Sequence, residues 1–301
     1  MSSRSDQKAT AREHAAQLRA AQLRAERRRR LLSAGAAVAV VVAVIAGLIV
    51  AKLSGAGAST PSAASGLASS QVMTDVTSVP AATLNKIGVG SAQGGPQHIT
   101  APALTQAGKP KVLYVGAEYC PFCAAERWPV VVALSRFGTF TNLGVTSSAS
   151  NDVYPNTPTL SFHGAIYKSQ YLSFTGVETT SNKLVNGNYA PLDTLTPADQ
   201  QTFTTFDQPP YVAGQGGSIP FVDIAGKYVS SGATYSPQLL HGLSQAQVAA
   251  ELKNPSSQIA QAVDGSANRF TAALCQATGN KPGNVCTAPG VAAARAQLAK
   301  A

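Results

Sequence analysis

The chain has 301 residues, 45% of them hydrophobic and 12% charged, which suits one or two folded domains and excludes both a disordered chain and a polytopic membrane protein. Its net charge of +9 is uneven, because residues 1–30 hold nine Lys/Arg against three acids, a net +6, and leave +3 for the other 271. This basic excess is a local tail without an aromatic residue, which points away from nucleic acid, whose binders spread Lys/Arg over a folded face and interleave stacking rings.

Inside the tail, Ala15-Ala16-Gln17-Leu18-Arg19 is repeated as Ala20-Ala21-Gln22-Leu23-Arg24. The repeat suits either a basic helix on anionic lipid or a simple retention charge. After Arg27, Arg28, Arg29 and Arg30 comes Leu31 to Ala51, 21 residues with no charge and no proline. As a helix it spans about 31 Å at ~1.5 Å per residue, one hydrocarbon core. Residues 31–53 are therefore expected to form a transmembrane helix. The positive-inside rule keeps 1–30 cytoplasmic and sends everything after Lys52 to the extracytoplasmic side of the plasma membrane. A cleaved signal peptide processed near Ala56-Gly57-Ala58 is the competing reading, although its apolar run is usually about 7 to 15 residues. Residues 54–71, mostly Ser, Ala and Gly, read as a flexible linker, and 72–301 as the extracytoplasmic domain.

The cysteines are Cys120, Cys123, Cys275 and Cys286. An even number outside the membrane suits an oxidising compartment, and spacing favours Cys120 with Cys123 and Cys275 with Cys286. Zinc is the rival for four cysteines, but a ribbon wants two close knuckles and the second pair is ten residues apart. No metal and no cofactor is expected.

Lys111 to Ala117 is a short apolar run with β-branched and aromatic residues, a buried strand. Ala124 to Phe137 has helical spacing, with Pro129 inside it. Strand, Cys120-Pro121-Phe122-Cys123, then helix puts the first cysteine at a helix N-terminus. There, unpaired backbone N–H groups and the macrodipole favour the attacking thiolate. Cys120 is the expected nucleophile, and Cys123, one turn in, the thiol that resolves the mixed disulfide. Pro121 suits the first helical turn. Phe122 has no titratable group, so any lowering of the thiol pKa comes mainly from backbone.

Downstream, Gly217 to Val229 reads as two short strands joined at Ala225-Gly226, the first opened by Pro220. Here a resemblance can be stated. Val115 to Cys123 resembles the thioredoxin active-site strand and turn, and Ile219-Pro220 resembles that superfamily's cis-proline. Val72 to Cys286 as a whole is similar to a membrane-anchored, thioredoxin-like family of actinobacteria and archaea that has no assigned function. The resemblance implies an α/β, thioredoxin-like fold with Pro220 beside the Cys120 thiol and Ile219 as a substrate contact. Thioredoxin's buried acid, six residues before its first cysteine, is replaced here by Tyr114, so its proton relay is not carried over. Glu118 or Tyr119 could substitute, and Glu118 equally suits a solvated loop. Pro-Phe between the cysteines matches neither a reducing nor an oxidising member, which leaves the redox direction open.

Between Cys123 and Pro220 lie 96 residues, more than one helix and two strands need. Leu143–Ser147 and Thr159–His163 are the expected strands, and about 148–216 a long insertion. The insertion carries Tyr189, Phe203, Phe206 and Tyr211 and either covers the active site or elaborates the surface. His163 and His241 could lower the Cys120 pKa but read more readily as structural. His98 suggests no role, and Trp128 reads as core. Helices are expected over Ser244–Leu252 and Ser256–Leu274. The Cys275–Cys286 bond reads as structural, with a second redox pair as the alternative.

These residues point to a membrane-anchored thiol-disulfide oxidoreductase acting on protein thiols and disulfides, with a membrane protein as a conceivable redox partner. The alternative is a non-catalytic thioredoxin-like binding module of the cell envelope with structural disulfides. Burial of Cys120 would favour the module, and an exposed sulfur beside a cis Pro220 the enzyme. A metal or haem-assembly chaperone is disfavoured because Met1 and Met73 are the only methionines.

Overall fold

The computed structural model describes residues 66–213 and 216–298. The basic tail, the expected 31–53 transmembrane helix and most of the expected 54–71 linker lie outside the described residues. Within them, no helix is long and apolar enough to cross a membrane. The elements in chain order are β1 (Gly66–Leu67), α1 (Ser70–Thr77), α2 (Ala81–Ile87), β2 (Gln97–His98), β3 (Thr105–Gln106), β4 (Lys109–Gly116), α3 (Pro121–Ser135) and β5 (Gly138–Thr141). There follow β6 (Gly144–Ser147), β7 (Pro158–Ser161), β8 (Ile166–Ser169), β9 (Ser173–Glu178), β10 (Thr180–Val185), β11 (Asn188–Pro191) and α4 (Pro197–Phe206). The chain closes with β12 (Phe221–Ile224), β13 (Tyr228–Ser231), a 3-10 turn (Pro237–Leu240), α5 (Gln245–Glu251), α6 (Gln258–Ala277), α7 (Gly283–Cys286) and α8 (Pro289–Leu298).

The end of the expected linker is corrected. Gly66 and Leu67 pair with Val145 and Gly144, and the Ser69 hydroxyl accepts the Val72 N–H at 3.3 Å to cap α1. Composition misled because a ladder needs backbone alone and a cap needs one small hydroxyl.

The architecture is mixed α/β. The central sheet runs β2-β13-β12-β4-β9, with β9 parallel to β4, the other neighbours antiparallel, and β3 folded back on the start of β4. As its apolar run predicts, β4 is buried on both faces. Val112 and Tyr114, with Val222 and Ile224, join the larger core together with residues of α3 and α6. Leu113 and Val115, with Phe221 and Val229, form a second cluster against Phe203 and Phe206 of α4. Helices thus cover both faces of the sheet. The β12–β13 turn is the expected one: Ala225 and Gly226 both have positive φ, 61° and 68°. A side chain at Gly226 would meet the Pro102 carbonyl oxygen at 2.2 Å. Trp128 is buried in the core as expected, its indole N–H donating to the Pro158 carbonyl at 3.1 Å.

One expectation holds and another changes. Strands form near Leu143–Ser147 and Thr159–His163, but as β6 and β7 they pair with each other and with β1 in a separate sheet. The parallel neighbour of β4 is β9, inside the stretch read as an insertion. Ser-Phe-Thr-Gly-Val-Glu lacks the apolar run that marks a buried strand. Its ladder to Lys111–Gly116 is made of main-chain groups, which a side-chain pattern does not display. The expected C-terminal helices appear as α5, with a Ser244–Gln247 capping box, and α6. Cys275 and Cys286 are joined by a disulfide with their Cα atoms 5.6 Å apart.

Candidate functional site

β4 stops at Gly116 and α3 starts at Pro121, leaving Cys120 as the N-cap in an extended conformation. Its sulfur takes the place a Ser or Asp oxygen usually fills, accepting the Cys123 N–H at 3.3 Å. Pro121 is at the first helical position, where no N–H partner is lost. Because β12 runs antiparallel to β4, with Phe221 opposite Val115, the chain just before β12 arrives beside the end of β4. The Cys120 sulfur therefore lies 3.8 Å from the Ile219 carbonyl oxygen, and the Ile219–Pro220 bond is cis. The four residues singled out from sequence, Cys120, Cys123, Ile219 and Pro220, are brought together.

Cys120 and Cys123 carry free thiols. Cys120 is 6% exposed and Cys123 fully buried. The Cys120 thiol is held below its ordinary value by its hydrogen bond with Cys123, against the opposing effect of burial and with help from the Cys123 N–H and the Arg127 charge. Burial, then the neighbouring Cys120, pushes Cys123 well above the ordinary value. Two chemically identical groups three residues apart are thereby separated into a thiolate-prone sulfur with a trace of exposure and a protonated one fully buried beneath it.

The supporting residues divide. The Tyr119 ring stacks on Tyr189 of β11 at 4.4 Å and 2°, and the Tyr189 hydroxyl donates to Asn151 at 3.0 Å. Phe122 is 40% exposed with its edge against Tyr154 at 5.8 Å. The β10–β11 hairpin and the loop before β7 thus flank the cysteine turn. Phe203, Phe206 and Tyr211 of the same insertion belong to the opposite face of the sheet, Phe203 against Phe221 and Phe206 against Tyr211. Glu118 accepts the Ser161 hydroxyl at 2.7 Å. His163 is paired with Asp193 at 2.7 Å, His98 lies edge-on to Tyr228, and His241 is an exposed residue after the 3-10 turn.

An ion pair missed in the sequence lies under the turn. Arg127, one turn beyond Cys123 on α3, and Glu178, the last residue of β9, are both fully buried. Nε donates to Oε1 at 2.7 Å, Nη2 to Oε2 at 2.6 Å, and Nη2 also to the Ala117 carbonyl at 2.7 Å. That carbonyl also accepts the Cys120 N–H at 3.3 Å, so the guanidinium is tied to the loop that carries Cys120. The four-residue spacing from Cys123 to Arg127 was a readable signal. Glu178 had none, because β9 was not recognised.

No curated protein and no solved structure matches the chain. One family model does, over residues 97–276, from β2 to the last turn of α6 and thus across both cysteines of the turn, Ile219-Pro220 and the Arg127–Glu178 pair. That match covers more than half of the chain, which belongs to the family described as a domain of unknown function, DUF929.

Proposed function

We propose that the protein is a thiol-disulfide oxidoreductase of thioredoxin-like fold, held on the extracytoplasmic face of the plasma membrane by residues 31–53. The single observation that carries the reading is Cys120 at the N-cap of α3, its sulfur bonded by the Cys123 N–H and beside the Ile219 carbonyl. The topology supports it: β4, α3 and the parallel β9, then the antiparallel β12–β13 hairpin followed by α6, is the order a thioredoxin-like fold requires. Cys120 attacks a sulfur of a protein disulfide, and Cys123 resolves the mixed disulfide. The backbone at Ile219 is placed to pair with an extended peptide, and Tyr119, Phe122, Tyr154 and Tyr189 form an aromatic rim around the reacting sulfur.

The 6% exposure of Cys120 favours a second reading, a thioredoxin-like binding module of the cell envelope. Glutathione titration of the full chain, with alkylation and peptide mass spectrometry to follow each cysteine, separates the two. The enzyme gives a reversible two-electron couple for Cys120 and Cys123 that is lost in Cys120→Ser. A potential of about −120 to −180 mV marks an oxidase or isomerase, and one near about −270 mV a reductase. A Cys120–Cys123 bond that resists reduction until the protein unfolds would overturn the enzyme reading.

A further inference from the structure

Beneath the cysteine turn, two buried hydrogen-bond donors have no partner: the Tyr114 hydroxyl and Nη1 of Arg127. Both residues are fully buried. Tyr114 lies on β4, and its ring runs along the strand toward the cysteines, so closely that a side chain at Gly116 would meet its hydroxyl at 2.6 Å. Arg127 is fixed from the other side by its two-point bond to Glu178 and by the Ala117 carbonyl. Tyr114 and Arg127 also interact electrostatically with each other and with Cys123. Folded proteins seldom leave buried donors unpaired, because each forfeits its bonds to water. Neither donor bonds the Cys123 thiol in the reduced protein, and two unpartnered donors under one cysteine turn suit a group that becomes a strong acceptor only during the reaction.

We propose that Tyr114 and Arg127, the latter held by Glu178, are positioning residues that stabilise the Cys123 thiolate as it resolves the mixed disulfide. The inference rests on the redox reading above. In the reducing direction, the Cys120 thiolate attacks a protein disulfide. A bond forms between Cys120 and one substrate sulfur, and the other leaves as a thiolate that takes a proton from water. Cys123 then gives its proton to water and attacks the Cys120 sulfur. The bond from Cys120 to the substrate breaks, and the second substrate sulfur leaves and is protonated. The substrate disulfide gains two electrons and the cysteine pair loses them as its own disulfide forms. Burial makes the Cys123 thiolate scarce, so a neutral donor that bonds only the charged form, the Tyr114 hydroxyl, acts on this second step, whereas the Arg127 charge also favours the Cys120 thiolate of the first.

The test uses the reduced full chain with 5,5′-dithiobis(2-nitrobenzoate) as probe, followed by stopped-flow absorbance. Attack by Cys120 releases one thionitrobenzoate in a concentration-dependent phase, and Cys123 releases the second in a first-order phase. Cys123→Ser supplies the trace with the first release alone. Tyr114→Phe removes an unpartnered hydroxyl and keeps the ring. It is expected to leave the first phase within twofold, to slow the second roughly tenfold, the worth of one bond to a charged group, and to move the second phase's pH profile upward. Glu178→Gln is expected to slow the second phase too, and if it does not fold, Tyr114→Phe decides alone. A second phase within twofold of wild type in folded Tyr114→Phe overturns the assignment while leaving the redox reading intact. Wild-type protein that releases no second thionitrobenzoate overturns both.

Discussion

The two cysteine pairs sit at opposite ends of helices that pack against each other, and their fates differ accordingly. Cys120 caps the N-terminus of α3, where backbone N–H groups converge on its sulfur. Cys275 lies in the last turn of α6 and Cys286 ends α7, both buried and joined to each other. The positive end of a helix favours a thiolate and the negative end does not, so on the proposed reading the first pair exchanges and the second stays shut. On that reading helix position, more than cysteine spacing, separates the two pairs.

The largest expected effect concerns the α3–α6 interface that joins the two regions. Glu126 of α3 is fully buried, accepting the Thr234 N–H and hydroxyl at 2.9 and 2.8 Å, and burial raises its carboxyl to about 7. Asp264 of α6 is raised to about 8 by burial, against the attraction of Arg136, and the buried Tyr235 interacts with both acids. Both folded values exceed the unfolded ones, so the folded protein binds more protons. This contribution is complete below the unfolded carboxyl values, near about pH 4, and is lost as pH rises through about 7 and about 8. Denaturant midpoints are expected to show a stability loss on the order of 6 kcal/mol between about pH 5 and pH 8. Glu126→Gln should remove the part of the loss that ends near pH 7, and a level profile in wild type would mean that neither acid is protonated in the fold.

The comparison of the two pairs is broken or upheld by removing the second. With 11 residues of separation, the Cys275→Ser, Cys286→Ser double variant is expected to lose about 2 to 3 kcal/mol of stability. Thiol exchange at Cys120 should stay within twofold. If exchange collapses while the protein remains folded, the second pair is an electron relay and the distinction drawn above fails.

A smaller effect tests the rim around the first pair. Tyr189→Ala removes the ring stacked on Tyr119, a contact worth about 1 kcal/mol beyond its buried area. A roughly fivefold rise in KM for a protein disulfide is expected, with the small aromatic disulfide reagent unaffected. An unchanged KM would make the β10–β11 hairpin a structural support only.

Much of the site was legible because its signals are local. The apolar run of β4, the proline after Cys120 and the helical spacing of α3 all fall within about thirty residues of chain, where strand, cap and helix preferences act directly. The Ala225-Gly226 turn and the Cys275–Cys286 bond were visible for the same reason. Tyr114 was noted as the replacement for an expected acid, yet its unpartnered hydroxyl is a property of its surroundings and has no sequence signature.

The sequence by itself determined which sulfur caps a helix, which pair could close a short loop, and where the β12–β13 hairpin turns, since each depends on neighbours along the chain. Only the tertiary structure decided that β9 lies parallel to β4, that Glu178 meets Arg127 from 51 residues away, and that Tyr189 covers Tyr119. Such meetings depend on how intervening loops close and which backbone edge is free, and neither is written in the residues that finally touch.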